Sequence, residues 1–119
     1  MAITEAYSGS ATIGTTEYSA PNNANYSALS ALAVPGVYQI FLDVSDMVAG
    51  DQLQIRVYEK CRSVSPGNTQ AVIYESVLSG AQADLWVSPS LILLHGWDVT
   101  LDTLAGTSIV VNWSIRKVA

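Results

Sequence analysis

The clearest pattern in this chain is an alternation of apolar and polar residues across residues 36–62, GVYQIFLDVSDMVAGDQLQIRVYEKCR. Successive side chains of an extended strand point to opposite faces, so this alternation predicts two β-strands. Residues 45–51 between them contain Asp46, Gly50 and Asp51, which favour a chain reversal. The predicted buried faces carry Tyr38, Ile40, Leu42 and Val44 on the first strand and Leu53, Ile55 and Val57 on the second.

A second pair of alternating runs lies near the C-terminus, on either side of Ala105-Gly106. One run places Trp97, Val99 and Leu101 on the same face, and the other places Ile109, Val111, Trp113 and Ile115 on the same face. If Ala105-Gly106 is the tip of a hairpin, Trp97 faces Trp113 and Val99 faces Val111.

The strands between these two pairs are shorter or less regular. Residues 70–79 predict a strand with Val72, Tyr74 and Leu78 facing the core and Glu75 facing outward. Pairing it with the preceding strand places either Arg56 or Tyr58 opposite Glu75. Residues 85–87 and 91–94 predict two brief strands, and the proline between them indicates a sheet edge or a crossing loop.

The first third of the chain has no clean period. We predict an N-terminal arm and first strand in residues 1–19, with the strand in residues 11–19, and a β-sandwich domain in residues 20–119. Residues 20–34 carry no charge and predict a long loop with at most one helical turn, which Pro35-Gly36 ends.

Seven or eight short strands and no convincing helix predict an all-β fold, an antiparallel two-sheet β-sandwich. A jelly-roll or other Greek-key strand order is favoured over the immunoglobulin order, because the Cys–Trp–Cys signature is absent. At 119 residues the chain has the length of a single domain.

Half of the residues are hydrophobic and only 13% are charged, which is a low charged fraction for the surface of a free small monomer. We therefore expect a homo-oligomer or a larger assembly. The arm, which contains no Lys or Arg, and the uncharged loop are the expected contact segments, with five anchors. These anchors are Ile3, Tyr7, Tyr18, Tyr26 and Leu29. Trp86 lies outside the clean alternation and is the best candidate for a sugar-stacking residue.

The charge distribution excludes two classes of partner. The formal net charge is −5, and the first 55 residues contain no Lys or Arg, so we expect no binding to nucleic acid and none to an anionic membrane surface. The longest aliphatic run, in residues 91–94, is too short to span a bilayer, and the N-terminus lacks the features of a signal peptide. A single cysteine, Cys61, excludes an internal disulfide and indicates synthesis in a reducing cytoplasm.

No motif for catalysis or cofactor binding is present, so we expect no enzyme. His95 is the only histidine, and no nucleophile elbow accompanies it. Two His or Cys residues in total are too few for a transition-metal site. Asp43, Asp46 and Asp51 are hard oxygen ligands that suit calcium, but their spacing matches no calcium loop. We expect these three carboxylates to cap turns, and we expect no metal and no cofactor.

Three segments within residues 35–119 carry a resemblance to a known family: GVYQIFLDVSDMVAGDQLQIRVYEK, VSPSLILLHGWDVTL and WSIRKVA. They resemble a family of small proteins from tailed phages. The resemblance implies a structural protein of the virion, and small β-sandwich proteins of that kind often decorate or cement the capsid. The implied partner is the major capsid protein, and the implied location is the capsid surface, after synthesis in the host cytoplasm. A receptor- or glycan-binding module of a tail or head fibre, or a neck or tail component, is the alternative.

Overall fold

The structure is a computed structural model that describes residues 2–83 and 85–118, and it consists of two antiparallel β-sheets packed face to face. The predicted all-β sandwich is confirmed. The strands are β1 (Ile3–Ile13), β2 (Tyr18–Ser19), β3 (Ala24–Asn25), β4 (Gly36–Asp43), β5 (Gln52–Lys60), β6 (Gln70–Ser79), β7 (Leu85–Val87), β8 (Leu91–Leu93), β9 (Asp98–Ala105) and β10 (Ile109–Val118). A 3-10 helix at Ala28–Ser30 is the only helix in the described ranges, and no helix there is long and apolar enough to cross a membrane.

The strand order is that of a jelly roll. Sheet 1 has the order β1-β10-β4, with both β7 and β8 paired to the far side of β4, and sheet 2 has the order β3-β2-β9-β5-β6. When the short β2–β3 hairpin counts as one position in sheet 2, and β7 with β8 as one interrupted strand beside β4, the chain visits the sheets in the order 1, 2, 1, 2, 2, 1, 2, 1. This alternation is the double Greek key of an eight-stranded jelly roll.

An aromatic cluster forms one end of the core between the sheets. Trp97 is fully buried, and its ring lies 4.6 Å from that of Tyr38 and 5.8 Å from that of Tyr7, measured between centroids. The indole Nε1 of Trp97 and the hydroxyl of Tyr38 both donate hydrogen bonds to the carbonyl of Val34, at 3.0 Å and 3.1 Å. The loop before β4 is therefore attached to the core.

The predicted N-terminal arm is wrong for residues 3–10, which belong to β1. This strand pairs with β10 along its whole length, from Ile3 opposite Val118 to Ile13 opposite Ile109. Its small residues have a packing role: a Cβ on Gly9 would lie 2.7 Å from the indole ring of Trp113. Close packing against a large ring explains why this strand lacks the apolar alternation of its neighbours.

The predicted hairpin around Ala105-Gly106 is also wrong. β9 pairs with β2 and β5 in sheet 2, whereas β10 pairs with β1 and β4 in sheet 1, so the chain crosses between sheets here. Gly106 adopts a φ of +88°, and a Cβ there would lie 2.1 Å from Oδ1 of Asp51, which accepts a hydrogen bond from the amide of Thr107. The turn between β4 and β5 is likewise a crossing between sheets.

Between β5 and β6 the predicted register is confirmed in one of its two forms. Arg56 lies opposite Glu75, and the two side chains form an ion pair of 3.1 Å. Tyr74 and Leu78 pack against the core as predicted. Val72 does not, because a bulge that leaves Ile73 without a partner shifts Val72 to the position opposite Tyr58, on the outer face of sheet 2.

Candidate interaction surfaces

One end of the sandwich exposes a group of aliphatic side chains, which we call the apolar end. The strand directions bring together here the beginnings of β1 and β4, the ends of β8 and β10, and the loop before β4. Leu29 is 98% exposed, Ile92 81% and Ile3 69%. The apolar end consists of Ile3, Leu29, Val34, Val37, Ile92 and Leu94, all of them exposed.

Three members of the apolar end form, together with the half-buried Val118, an ordered row across sheet 1. Ile3 pairs with Val118, Val118 with Val37, and Val37 with Ile92, so one aliphatic side chain from each of four neighbouring strands lies in line on the outer face. At a strand spacing of about 4.8 Å the row is roughly 14 Å wide. The row is therefore a flat apolar strip whose geometry is set by backbone pairing.

Two clefts open on the apolar end. The larger, of about 480 Å³, is lined by Leu29 and neighbouring alanines on one side and by Lys60, Leu94 and His95 on the other. The smaller, of about 130 Å³, lies beside the aliphatic row, between Ile3 and Arg116. The smaller cleft is mostly apolar, the larger has polar as well as apolar lining, and each contains one cationic side chain. Such mixed clefts suit the uptake of side chains from a partner.

Basic residues surround the apolar end. Four of the five Lys and Arg residues lie at or near this end: Lys60, Arg62, Arg116 and Lys117. The aliphatic part of Lys60 lies flat on Gly96 and that of Lys117 on Gly36, so closely that a Cβ on either glycine would lie 2.7 Å from the lysine chain. The guanidinium of Arg116 lies over the ring of Phe41, 3.7 Å from its centroid. Because these stems rest on the protein surface, the rim combines apolar cover with positive charge.

The six residues predicted as an interface lie in three different places. Ile3 and Leu29 belong to the apolar end. Tyr7, Tyr18 and Trp86 are half-buried and pack against the core, and Tyr18 lies against Trp113 with ring centroids 5.9 Å apart. Tyr26 stacks on Tyr58 at 4.9 Å and donates a hydrogen bond to Gln70. The structure therefore brings together two of the six at one exposed surface.

Sequence reasoning missed a polar cluster on the outer face of sheet 2. Glu17 accepts hydrogen bonds from the hydroxyls of Tyr58 and Thr100, at 2.6 Å and 2.5 Å, and lies 3.5 Å from Arg56. Burial, together with the hydrogen bond to Glu17, raises the pKa of Tyr58 to about 12. The signal in the sequence is the polar alternation of β5 and β9, which is equally typical of strand faces that contact solvent.

Asp98 belongs to this cluster and, like Thr100, is fully shielded from solvent. Its Oδ1 accepts hydrogen bonds from the hydroxyl of Ser19 at 2.6 Å and from the amide of Val99 at 2.8 Å, while its Oδ2 has no partner among the described residues. Burial raises the pKa of Asp98 to about 6, with a further contribution from the negative charge of Glu17. The site therefore favours the neutral form of the carboxyl group more than water does, and this form predominates below a pH of about 6.

A pH dependence of stability follows from the raised pKa of Asp98. Between pH of about 4 and about 6 the folded protein holds a proton on Asp98 that the unfolded chain releases, so the contribution of Asp98 to the free energy of unfolding falls as the pH rises. We expect the free energy of unfolding of the wild type to fall relative to that of Asp98→Asn across this range, as measured by urea denaturation at each pH. A difference that stays constant or rises with pH would contradict the assignment.

The three aspartates considered for calcium are engaged in turns. Asp43 accepts hydrogen bonds from the amide and hydroxyl of Ser45, and Asp51 accepts from the amides of Val48 and Thr107. These bonds lower the pKa values of both carboxyl groups. Asp46 accepts from the amide of Val110. Within residues 2–83 and 85–118, no three His, Cys, Asp or Glu side chains form a group that could hold a metal ion.

His95 lies beside the larger cleft, half-buried, and its backbone amide donates to Oε2 of Glu59 at 3.2 Å. In the part of the chain that the structure describes, no hydrogen bond joins its ring to a carboxylate or hydroxyl group.

Comparison of the chain with protein-family models and with curated proteins found no match.

Proposed function

We propose that this chain is a structural virion protein, a capsid decoration or cement protein that binds the major capsid protein on the capsid surface and stabilises the shell. Two features support the proposal. The three segments that resemble small tailed-phage proteins lie within residues 35–119. The observation that carries the proposal is the apolar end, because aliphatic side chains as exposed as Leu29 and Ile92 are typical of a surface that a partner covers.

The mechanism is mass action on the assembled shell. A ligand that binds only the assembled lattice favours the assembled state by its binding free energy, and the effect adds up over many copies. A stable contact of this kind buries roughly 800 Å² on each partner. The aliphatic row and the larger cleft supply an apolar centre for such a contact, and the basic rim favours a partner surface that is neutral or acidic.

The contact surface differs from the one that the sequence suggested. Because residues 3–10 are paired in β1, the contact is made by a folded surface and not by a free arm. Deletion of residues 1–10 would remove most of an edge strand of sheet 1, so it would test folding as well as binding. Substitutions of exposed side chains at the apolar end separate the two effects.

The test of the proposed function is the copy number of the chain in purified virions of the phage that encodes it. Quantitative mass spectrometry against the major capsid protein is expected to give a copy number comparable to that of the major capsid protein, and cryo-electron microscopy is expected to show the sandwich at a repeated lattice position. A dozen or fewer copies at one vertex would replace decoration by a neck or tail role. Absence of the chain from virions would overturn the proposal.

A second candidate function, a receptor- or glycan-binding module, is favoured by the outer face of sheet 2. There the ring of Tyr26 covers that of Tyr58 and lies beside a cluster of carboxylates and hydroxyls, which are the groups that bind sugar hydroxyls. Trp86 does not serve as the platform, because it packs against the core. A glycan array distinguishes the two functions, since binding that Tyr26→Ala abolishes would favour the second candidate.

A further inference from the structure

The two sheets have four edges, and three of them are poor sites for a further strand. On sheet 1, one edge consists of the three-residue strands β7 and β8, separated by Pro89, with Ser88 hydrogen-bonded to Ile40 of β4. The other edge is β1, whose outward residues are mostly Ser, Thr and Glu and which contains both a bulge and Gly9. On sheet 2, one edge is the two-residue strand β3. Short strands, proline, bulges and polar side chains all discourage pairing between edges.

The fourth edge, β6, is long and apolar. Among the described residues, the backbone of Ala71–Leu78 forms hydrogen bonds with β5 only, so the groups on its other side lack backbone partners. The bulge at Ile73 lies near the start of the strand, and the six residues after it are regular. Glu75 is its one charged residue, and no Lys or Pro interrupts it. Val72, Ile73 and Val77 are exposed on this strand.

We propose that β6 pairs with β6 of a second copy of this chain, in an antiparallel arrangement about a two-fold axis. The pairing joins the two copies of sheet 2 into one continuous ten-stranded sheet and provides partners for the free backbone groups of both edges. It also brings the exposed aliphatic side chains of β6 beside those of the other copy, which buries part of their surface. Like charges directly opposite each other are unfavourable, so the register that places Glu75 opposite its own copy is disfavoured.

A second copy fits this edge better than an unrelated strand because the resulting assembly closes. A two-fold contact uses the same edge of both copies and leaves none of it free. Each outer edge of the joined sheet is then a copy of β3, which has two residues and is too short to pair with a further strand. Pairing of β6 with β1 of another copy would instead be head-to-tail and could continue into a fibre, and the polar side chains and bulge of β1 disfavour it.

The inference does not rest on the proposed function, and its test uses the purified chain without particles. Size-exclusion chromatography with light scattering is expected to give the mass of two copies. Amide hydrogen exchange at high and low protein concentration is expected to show concentration-dependent protection of alternate amides in residues 71–78, and no such change in β1. The double variant Ile73→Lys with Val77→Lys is expected to have the mass of one copy and an unchanged circular dichroism spectrum, because both side chains are exposed.

The matched control places the same charges on the other long edge, as Ser8→Lys with Ser10→Lys in β1, and is expected to keep the mass of two copies. A wild-type chain with the mass of one copy at all concentrations would overturn the inference. So would a dimer that survives the β6 substitutions, a dimer that the β1 substitutions abolish, or a mass that grows beyond two copies. If the β6 variant fails to fold, the test is amide hydrogen exchange of the wild type. Concentration-dependent protection of residues 71–78 would then support the inference, and its absence would overturn it.

Discussion

The double variant Leu29→Asp with Ile92→Glu is expected to lose binding to capsids while it remains folded. Both side chains are at least 81% exposed, so the change removes little packing from the free protein. In the bound state each apolar side chain that becomes buried contributes about 1.5–3 kcal/mol, and a carboxylate in its place adds a desolvation cost. We therefore expect the affinity for the lattice to fall by at least about a hundredfold.

The measurement is occupancy on particles produced without the chain, after addition of purified wild-type or variant protein. The matched control introduces the same charges at the opposite end of the sandwich, as Val48→Asp with Leu104→Glu, where both side chains are also exposed. The control is expected to bind as the wild type does. Normal occupancy by the Leu29 and Ile92 variant would show that the apolar end is not the contact surface. A variant with a lowered melting temperature would have to be replaced by Leu29→Ser with Ile92→Thr before the comparison is made.

Trp97→Ala is expected to cause the largest loss of stability of any single substitution in the core. The side chain is fully buried and contacts the rings of Tyr7 and Tyr38, and its indole nitrogen donates to the carbonyl of Val34. Removal of a buried aromatic side chain of this size costs about 3–5 kcal/mol, because the cavity collapses only in part. This cost is a large fraction of the free energy of unfolding of a typical domain, which is about 5–15 kcal/mol.

Urea denaturation measures the effect, and two further variants make it specific. Trp97→Phe retains most of the packing and loses the hydrogen bond to Val34, so its expected cost is about 1–2 kcal/mol. Trp86→Ala removes a half-buried side chain and is expected to cost less than Trp97→Ala. If Trp86→Ala and Trp97→Ala lowered the free energy of unfolding by equal amounts, the result would contradict a structure in which Trp97 is fully buried and Trp86 only half-buried.

Strong alternation of apolar and polar residues allowed much of the fold to be predicted from the sequence. Residues 36–43, 52–60, 98–105 and 109–118 are strands, and Ile40, Ile55, Leu101 and Ile115 are among the residues that face the core. The pairing of strands could not be predicted in the same way. A short connection such as residues 106–108 is compatible both with a hairpin and with a crossing between sheets, and only the packing of the remaining strands decides between them.

Residues 3–10 of β1 were not predicted as a strand, for a related reason. Small residues such as Gly9 have low β-propensity, and the strand is stabilised by pairing with β10 and by the close approach of Trp113, which lies more than a hundred positions away in the sequence. The apolar end was predicted in part. The sequence indicated Leu29 as an anchor of the uncharged contact loop, and the structure exposes its side chain, but the aliphatic row depends on the register of four strands, which no local pattern contains.

The attachment of Val34 to the core has a consequence for the loop that presents Leu29. The carbonyl of Val34 receives two hydrogen bonds from buried rings, and Leu32 forms an isolated bridge with Trp97 in which each backbone amide donates to the other's carbonyl. The 3-10 helix at Ala28–Ser30 is capped by the hydroxyl of Ser27, and Asn22 donates to the carbonyl of Ser30. The backbone that carries Leu29 is therefore held in position before a partner binds. Docking would cost little backbone conformational entropy in this loop.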